Sequence, residues 1–225
     1  MIFGGLQKTS LIDFPDRIAT VLFTPGCNLR CPFCHNWRLI VEPKGPFLDE
    51  KSVLEILESR KRQVDAVVIT GGEPTMQADL PKFLTELKER GFHVKLDTNG
   101  FFPDVLERSL PYADYVALDV KTSLEKYCRL GANEASNFLE TRDILKRGIV
   151  DYEFRTTVVP GFVDTEDIPK IGELVRDAKR FAFQQFIPDD SLDKSLSKVK
   201  PYSPEVIDDY ASLMKKYVTD VMLRV

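Results

Sequence analysis

Residues 66–74 read Ala66-Val67-Val68-Ile69-Thr70-Gly71-Gly72-Glu73-Pro74. The first five form a short, uncharged, β-branched run of the kind that suits a buried strand. The run stops at two glycines, a glutamate and a proline, residues that turn a chain rather than continue a strand. An amphipathic helical pattern follows at Leu80 to Arg90, then a second strand candidate at His93 to Asp97. The same unit recurs in both directions. Upstream lie a strand candidate at Arg17 to Thr24 and a helix candidate at Asp49 to Arg60. Downstream, strands at Tyr115 to Val120, Tyr152 to Val159 and Phe181 to Ile187 alternate with helices at Pro103 to Leu110, Glu134 to Arg147 and Asp167 to Ala178. Gly91 and Gly148 each follow a helix, where a left-handed cap is expected. A last helix, about Pro204 to Val218, precedes an apolar tail at Val221 to Val225 that reads as an edge strand. This alternation predicts an α/β fold with a parallel sheet. Six βα units fall short of the eight that close a barrel, so the expected form is an open, partial (β/α)6 TIM-like barrel. A flat doubly wound sheet is the alternative. No repeat or interdomain linker interrupts the pattern, and residues 1–225 are expected to form one domain.

The 225 residues are 43% hydrophobic and 29% charged, ordinary values for a soluble globular chain. A net charge of −4 with no long Lys/Arg run argues against nucleic acid as a partner. The short Arg60-Lys61-Arg62 patch reads as a solvated helix end. The start lacks a signal-peptide pattern, and no apolar run approaches the ~18 residues of a membrane span. The expected location is therefore the cytoplasm, with no membrane partner. Cysteines stay reduced there, so clustered ones point to a metal or to catalysis.

Both candidate architectures place function at the carboxyl ends of the strands, and that rim is where the unusual residues fall. The strands run in turn into Pro25-Gly26-Cys27, Gly71-Gly72-Glu73-Pro74, Asp97-Thr98-Asn99-Gly100, Asp119-Val120-Lys121, Val159-Pro160-Gly161 and Gln185 to Pro188. Cys27, Cys31 and Cys34 stand in a Cys-x3-Cys-x2-Cys loop after the first strand. Thiolates are soft ligands for iron–sulfur clusters, zinc and copper(I). A cubane cluster usually takes four cysteines, so three leave one iron open to an outside molecule. The alternative is a structural zinc site with His35 as fourth ligand. The remote Cys128 reads as an ordinary packed or partly exposed thiol. Gly71 and Gly72 let a backbone approach a ligand without a Cβ in the way. Glu73 suits an ammonium group and Lys121 a carboxylate, while Asp97 and Asp119 offer oxygen to a hard cation. Taken singly, each has a plainer reading: a strand-to-helix turn, a helix cap, a surface ion pair. Trp37 packs either over the cysteines or at the rim. Phe181, Phe183 and Phe186 read as barrel filling, and His93 as a satisfied structural residue.

Cys27-Asn28-Leu29-Arg30-Cys31-Pro32-Phe33-Cys34-His35-Asn36 resembles the radical S-adenosylmethionine motif, including the aromatic residue before the third cysteine. The upstream Thr9-Ser10-Leu11-Ile12-Asp13-Phe14-Pro15 resembles the activating proteins of anaerobic ribonucleoside-triphosphate reductase, relatives of the pyruvate formate-lyase activating enzymes. This resemblance implies a radical S-adenosylmethionine core and an oxidoreductase that activates a glycyl-radical enzyme. It implies a [4Fe-4S] cluster on Cys27, Cys31 and Cys34 and reductive cleavage of S-adenosylmethionine to a 5′-deoxyadenosyl radical. That radical would take a hydrogen atom from a glycine of the partner, anaerobic ribonucleotide reductase. Activation of pyruvate formate-lyase, or action on a small molecule, is the alternative within the superfamily, and a zinc-stabilised interaction module the one outside it. A flavodoxin or ferredoxin would donate the electron. By the same resemblance Phe33 and His35 would face the cofactor, with Phe33 near the adenine. Gly71, Gly72, Glu73 and Pro74 would meet the methionine amino group and Lys121 its carboxylate. Thr98, Asn99, Asp119, Arg155 and Gln185 would also line the cofactor. Asp97, Thr98, Asp119 and the carbonyl of Ala117 would hold a monovalent cation. Relatives often carry a histidine after strand six, where this chain has Asp189 and Asp190.

Overall fold

The structure, a computed structural model, describes residues 1–224; Val225, the end of the expected edge strand, lies outside the described residues. Among the described residues there are ten strands: β1 (Ile2–Phe3), β2 (Gly5–Ser10), β3 (Ala19–Thr24), β4 (Leu48–Asp49), β5 (Ala66–Gly71), β6 (His93–Thr98), β7 (Tyr115–Asp119), β8 (Asp151–Val158), β9 (Arg180–Gln185) and β10 (Asp220–Arg224). The helices are α1 (Trp37–Val41), α2 (Glu50–Arg60), α3 (Leu80–Glu89), α4 (Pro103–Ser109), α5 (Ser136–Lys146), α6 (Asp167–Leu174) and α7 (Pro204–Met214). β1 and β4 form a two-residue antiparallel ladder. The remaining eight strands make one sheet in the order β10-β9-β8-β7-β6-β5-β3-β2.

That order decides between the two expected architectures. From β3 to β10 the strands follow the chain in one direction, all pairs parallel. Crossovers of one hand then place every helix on the same face. A doubly wound sheet would reverse its order at a switch point, and this one does not. The fold is the partial barrel, a mostly parallel α/β sheet open between β2 and β10.

Side-chain parity separates an outer core from an inner lumen. Leu22, Val67, Ile69, Val94, Leu96, Val116, Leu118 and Phe154 are buried in the main core with Leu84 and Leu87 of α3 and Ile144 of α5. The opposite parity carries a second, small apolar cluster, Ala19, Val21, Ala66, Val68, Tyr115 and Phe14. One or two positions later the same inward parity turns polar: Thr70, Asp97, Asp119 and Arg155 line a cavity. The lumen thus has an apolar floor on this side and a charged upper wall. Glu153, buried further round, is held by a bidentate pair with Arg224 of β10, and accepts from the Tyr115 hydroxyl.

The helices and strands fall close to their expected places, and Gly91 and Gly148 adopt φ of +80° and +71° as caps. The short β1–β4 ladder was not expected, and three larger features differ. β2, antiparallel to β3 with a register shift between Gln7 and Ser10, was not expected; it opens on Gly5, a weak strand former. Trp37–Val41 is a one-turn helix in a stretch given no element from the sequence. Phe181 and Phe183 do not fill the barrel: they pack in the outer core, Phe183 against Tyr210 of α7 with ring centroids 6.5 Å apart. Their parity on β9 points them away from the lumen, and Gln184 faces the cavity instead. Among the described residues no helix is long and apolar enough to cross a membrane.

Candidate functional site

The cysteine loop leaves β3 at Thr24 and is laced to the turn that leaves β5. Gly72 N–H donates to Thr24 O and Glu73 N–H to Gly26 O, both at 2.8 Å. Asn36 Nδ2 donates to Gly71 O at 3.0 Å. A Cβ on Gly72 would lie 1.9 Å from Gly26 O, and one on Gly71, whose φ is +109°, 2.5 Å from Thr24 N. The two glycines therefore serve a close crossing of the chain's own backbones, a tighter requirement than the ligand approach expected from the sequence. On its far side the loop is clamped by backbone donors: Leu192 to Cys34 O at 3.1 Å, Asp193 to Pro32 O at 2.8 Å and Arg30 to Leu130 O at 2.8 Å. His35 Nε2 lies 3.0 Å from Ile187 O.

Cys31 is buried and Cys27 and Cys34 are half-buried, while Cys128 is exposed, its Sγ 3.6 Å from Glu125 O. Burial pushes the Cys27 thiol up to about 11 and the Cys31 thiol to about 12, and raises Cys34 as well. Donors stand ready for the deprotonated form, with Leu29 N–H 3.4 Å and Asn99 Nδ2 3.5 Å from Cys27 Sγ. Away from the loop, the Asp164, Glu166 and Asp167 carboxylates gather around Lys126. The Ile187 carbonyl engages only Nε2 of the His35 ring, and three soft thiolates on one short loop suit an iron–sulfur cluster.

These residues surround a cavity of about 460 Å³ at the carboxyl ends of the strands, within the size range of small-ligand sites. The loop contributes the three cysteines, Phe33 and His35; β5 and its turn contribute Gly71, Gly72 and Glu73. Asp97, Thr98 and Asn99 come from β6, Asp119 and Lys121 from β7, Arg155 from β8 and Gln185 from β9. Two expected residues are absent from the lining. Pro74 is buried at the start of a 3-10 turn, and Ala117 is buried in mid-strand. Thr157 and Gln184 line the cavity unannounced by any motif, and Asn36, the last residue of the cysteine motif, lines it without having been given a role. Asn28 was missed too; its Oδ1 accepts from Asn99 Nδ2 at 2.8 Å. Trp37 sits at the rim, its Nε1 donating to Asp190 at 3.3 Å and its ring stacked against Arg38 and Lys194.

Glu73, 1% exposed, spends most of its acceptor capacity inside the chain. It takes Thr98 Oγ1 at 2.7 Å, Asn99 N–H at 2.7 Å, and both the N–H and hydroxyl of Thr75. Burial raises its pKa, with these donors opposing. Asp97 and Asp119 are the opposite case. Burial alone would raise both, but Arg155 with Lys95 outweighs it at Asp97, and Arg155 with Lys121 at Asp119, holding each carboxyl below the usual range. Lys95 Nζ donates to Asp97 Oδ1 at 2.6 Å, and Arg155 Nη1 to Asp97 Oδ2 at 3.3 Å. Arg155 Nε donates to Asp119 Oδ1 and Lys121 Nζ to Asp119 Oδ2, both at 2.6 Å. All four carboxylate oxygens are thus taken by cationic side chains, and the Thr98 hydroxyl is turned to Glu73. A monovalent cation held by Asp97, Thr98, Asp119 and the Ala117 carbonyl would have to displace these cationic donors.

The description "Radical SAM superfamily" matches residues 21–175. A candidate glycyl-radical enzyme activating enzyme of Methanocaldococcus jannaschii, MJ1227, is 37% identical over 232 residues, spanning 99% of this chain and 95% of that protein. The pyruvate formate-lyase-activating enzyme of Staphylococcus aureus is 32% identical over 188 residues, 76% of this chain and 74% of that one. Among solved structures, TYW1 with a lysine-pyruvate adduct bound superposes with a TM-score of 0.68 at 20% identity, covering 88% of this chain and 73% of that one. The last likeness bears on the fold alone. The extent of the two sequence matches, over a barrel whose rim carries the three-cysteine loop, places this chain in the radical S-adenosylmethionine superfamily, among the glycyl-radical enzyme activating enzymes.

Proposed function

We propose that the chain activates anaerobic ribonucleoside-triphosphate reductase by placing a radical on one of its glycines, with S-adenosylmethionine as cofactor. The observation that carries the chemistry is the convergence of the three loop cysteines, Lys121, Arg155 and the Gly71–Glu73 turn on one cavity. Cys27, Cys31 and Cys34 would hold a [4Fe-4S] cluster and leave one iron for the cofactor's amino and carboxylate groups. When bound, the pair supplies one-electron cleavage of a carbon–sulfur bond and an acceptor for a hydrogen atom from the partner's glycine Cα.

The protein's own residues orient and enclose. Lys121, raised by Asp119 against the opposing pull of burial, stays cationic and suits the cofactor carboxylate. Gly71, Gly72 and Glu73 face the amino group. Phe33, buried against Phe162 with ring centroids 5.2 Å apart, walls the adenosine side with His35 and Gln185 and excludes water. Flavodoxin or ferredoxin would supply the electron.

Two features support a protein as substrate. The barrel is open between β2 and β10. Along that side Gln7 and Asp13 line the cavity, with Leu11 and Ile12, 72% and 87% exposed, next to them. The same Thr9–Pro15 segment carries the likeness to the reductase activators. The likeness to the Staphylococcus aureus protein favours pyruvate formate-lyase as the second reading. The test is electron paramagnetic resonance on anaerobic mixtures of reduced protein, S-adenosylmethionine and each candidate partner. A glycyl radical with the reductase is expected. Competent cofactor cleavage with no radical on the reductase would reject that partner, and a radical on the lyase alone would install the second reading.

A further inference from the structure

Lys95 is a charged interior group that the chemistry above leaves unused. It sits on β6 two residues before Asp97, hence on the same face of the strand, level with Val68 of β5 and Tyr115 of β7. Its side chain is 2% exposed. Lysine is almost never buried this far unless paired, and a well-packed apolar residue usually stabilises a core as well or better. Packing alone therefore gives no reason for an ammonium at this point. Among the described residues its single hydrogen-bond partner is Asp97, at 2.6 Å.

Arg155 bridges Asp97 and Asp119, and Lys121 takes the remaining Asp119 oxygen. Within this cluster three positive side chains thus face two negative ones. A further cation would find no free carboxylate oxygen and three like charges, at a distance where repulsion is costly in a buried site. We infer that Lys95 supplies from within the chain the positive charge a monovalent cation would otherwise bring, so that S-adenosylmethionine binds without sodium or potassium. The inference rests on the reading that the cofactor's amino-acid end lies beside Asp119 and Lys121. Lys95 is then a positioning residue. It neutralises Asp97, which leaves Arg155 and Lys121 on Asp119 with charge to spare for an incoming carboxylate.

The test is equilibrium binding of S-adenosylmethionine to the anaerobic, cluster-loaded protein in choline, sodium and potassium chloride at one ionic strength. The wild-type dissociation constant is expected to agree across the three salts within about twofold, and Lys95→Ala to bind about tenfold or more weakly in choline, a loss of the size expected for one buried charge. Potassium or methylammonium should restore the variant saturably, because the truncated side chain leaves room for either. Wild-type binding that collapses in choline and recovers saturably with potassium would overturn the inference. So would Lys95→Ala matching the wild type in every salt, or weakened equally in every salt. The wild-type series stands alone if the variant does not fold. Absence of S-adenosylmethionine binding in all salts would instead remove the underlying reading of the cofactor site.

Discussion

Gly72→Ala isolates the coupling between the cysteine loop and the Gly-Gly-Glu turn. Gly72 does not lie in the left-handed region, so alanine meets no backbone penalty of its own. Its Cβ, however, would stand 1.9 Å from Gly26 O, 2.7 Å from the Gly26 carbonyl carbon and 3.2 Å from Thr24 O. All three are backbone atoms and cannot rotate away. Restoring an ordinary carbon–oxygen contact needs a separation of more than an ångström between the two segments, given optimal spacings of about 3.5 Å. The Gly72-to-Thr24 and Glu73-to-Gly26 hydrogen bonds, 2.8 Å each, would break. At about 1 kcal/mol net apiece, plus the desolvation left behind, the loss is about 2–4 kcal/mol. For a chain of this size that lowers Tm by roughly 4–16 °C. The larger effect is local, because Gly26 adjoins Cys27, so iron retention should fall well before the fold does. Gly148→Ala is the control: its φ of +71° penalises alanine by about 1–2 kcal/mol, yet nothing lies within 4 Å of the added carbon. Iron content and calorimetry on both variants check the reasoning. Full iron in Gly72→Ala together with an unchanged Tm would refute it.

Other expectations follow from the same structure. Arg224→Met removes the bidentate partner of the fully buried Glu153; with Arg224 itself about a third exposed, the cost should be about 2 kcal/mol, read by calorimetry, and Glu153→Gln in the same chain should recover part of it. Cys128→Ser should keep full iron, whereas Cys31→Ser should lose it. The three loop thiols are neutral well above pH 7 because burial raises them, Cys27 to about 11 and Cys31 to about 12. Thiolate ligation must therefore release three protons, and apparent metal affinity should climb with pH by up to about a thousandfold per unit until the thiols titrate. Calorimetric metal titrations in two buffers of different ionisation heat would count those protons; no proton release would contradict the burial of the thiols.

Much of the site was legible because its chemistry is local in sequence. The cysteine loop, the Gly71–Glu73 turn and the Asp97 to Asn99 and Asp119 to Lys121 segments each end a strand, and parallel strands bring such ends together. The roles were less legible than the places. Glu73 reads as a free carboxylate in one dimension, but the Thr75 hydroxyl and the end of β6 turn it into a brace. The paired aspartates read as a cation site because Arg155 is 36 residues past Asp119 and reaches it only across the β7–β8 ladder. Lys95 did carry a signal: strand parity puts it on the lumen face with Asp97, where a lysine level with Val68 and Tyr115 is out of place unless paired. β2 left almost none, being polar and glycine-led, and its pairing is set by β3 rather than by its own pattern.

The most direct test of the whole account is anaerobic reduction of the iron-loaded protein with S-adenosylmethionine, followed by quantification of methionine and 5′-deoxyadenosine. The account predicts about four irons per chain for a cubane cluster, equal amounts of the two products, and loss of both in Cys31→Ser. One zinc per chain with no cleavage, or cleavage untouched by Cys31→Ser, would contradict it.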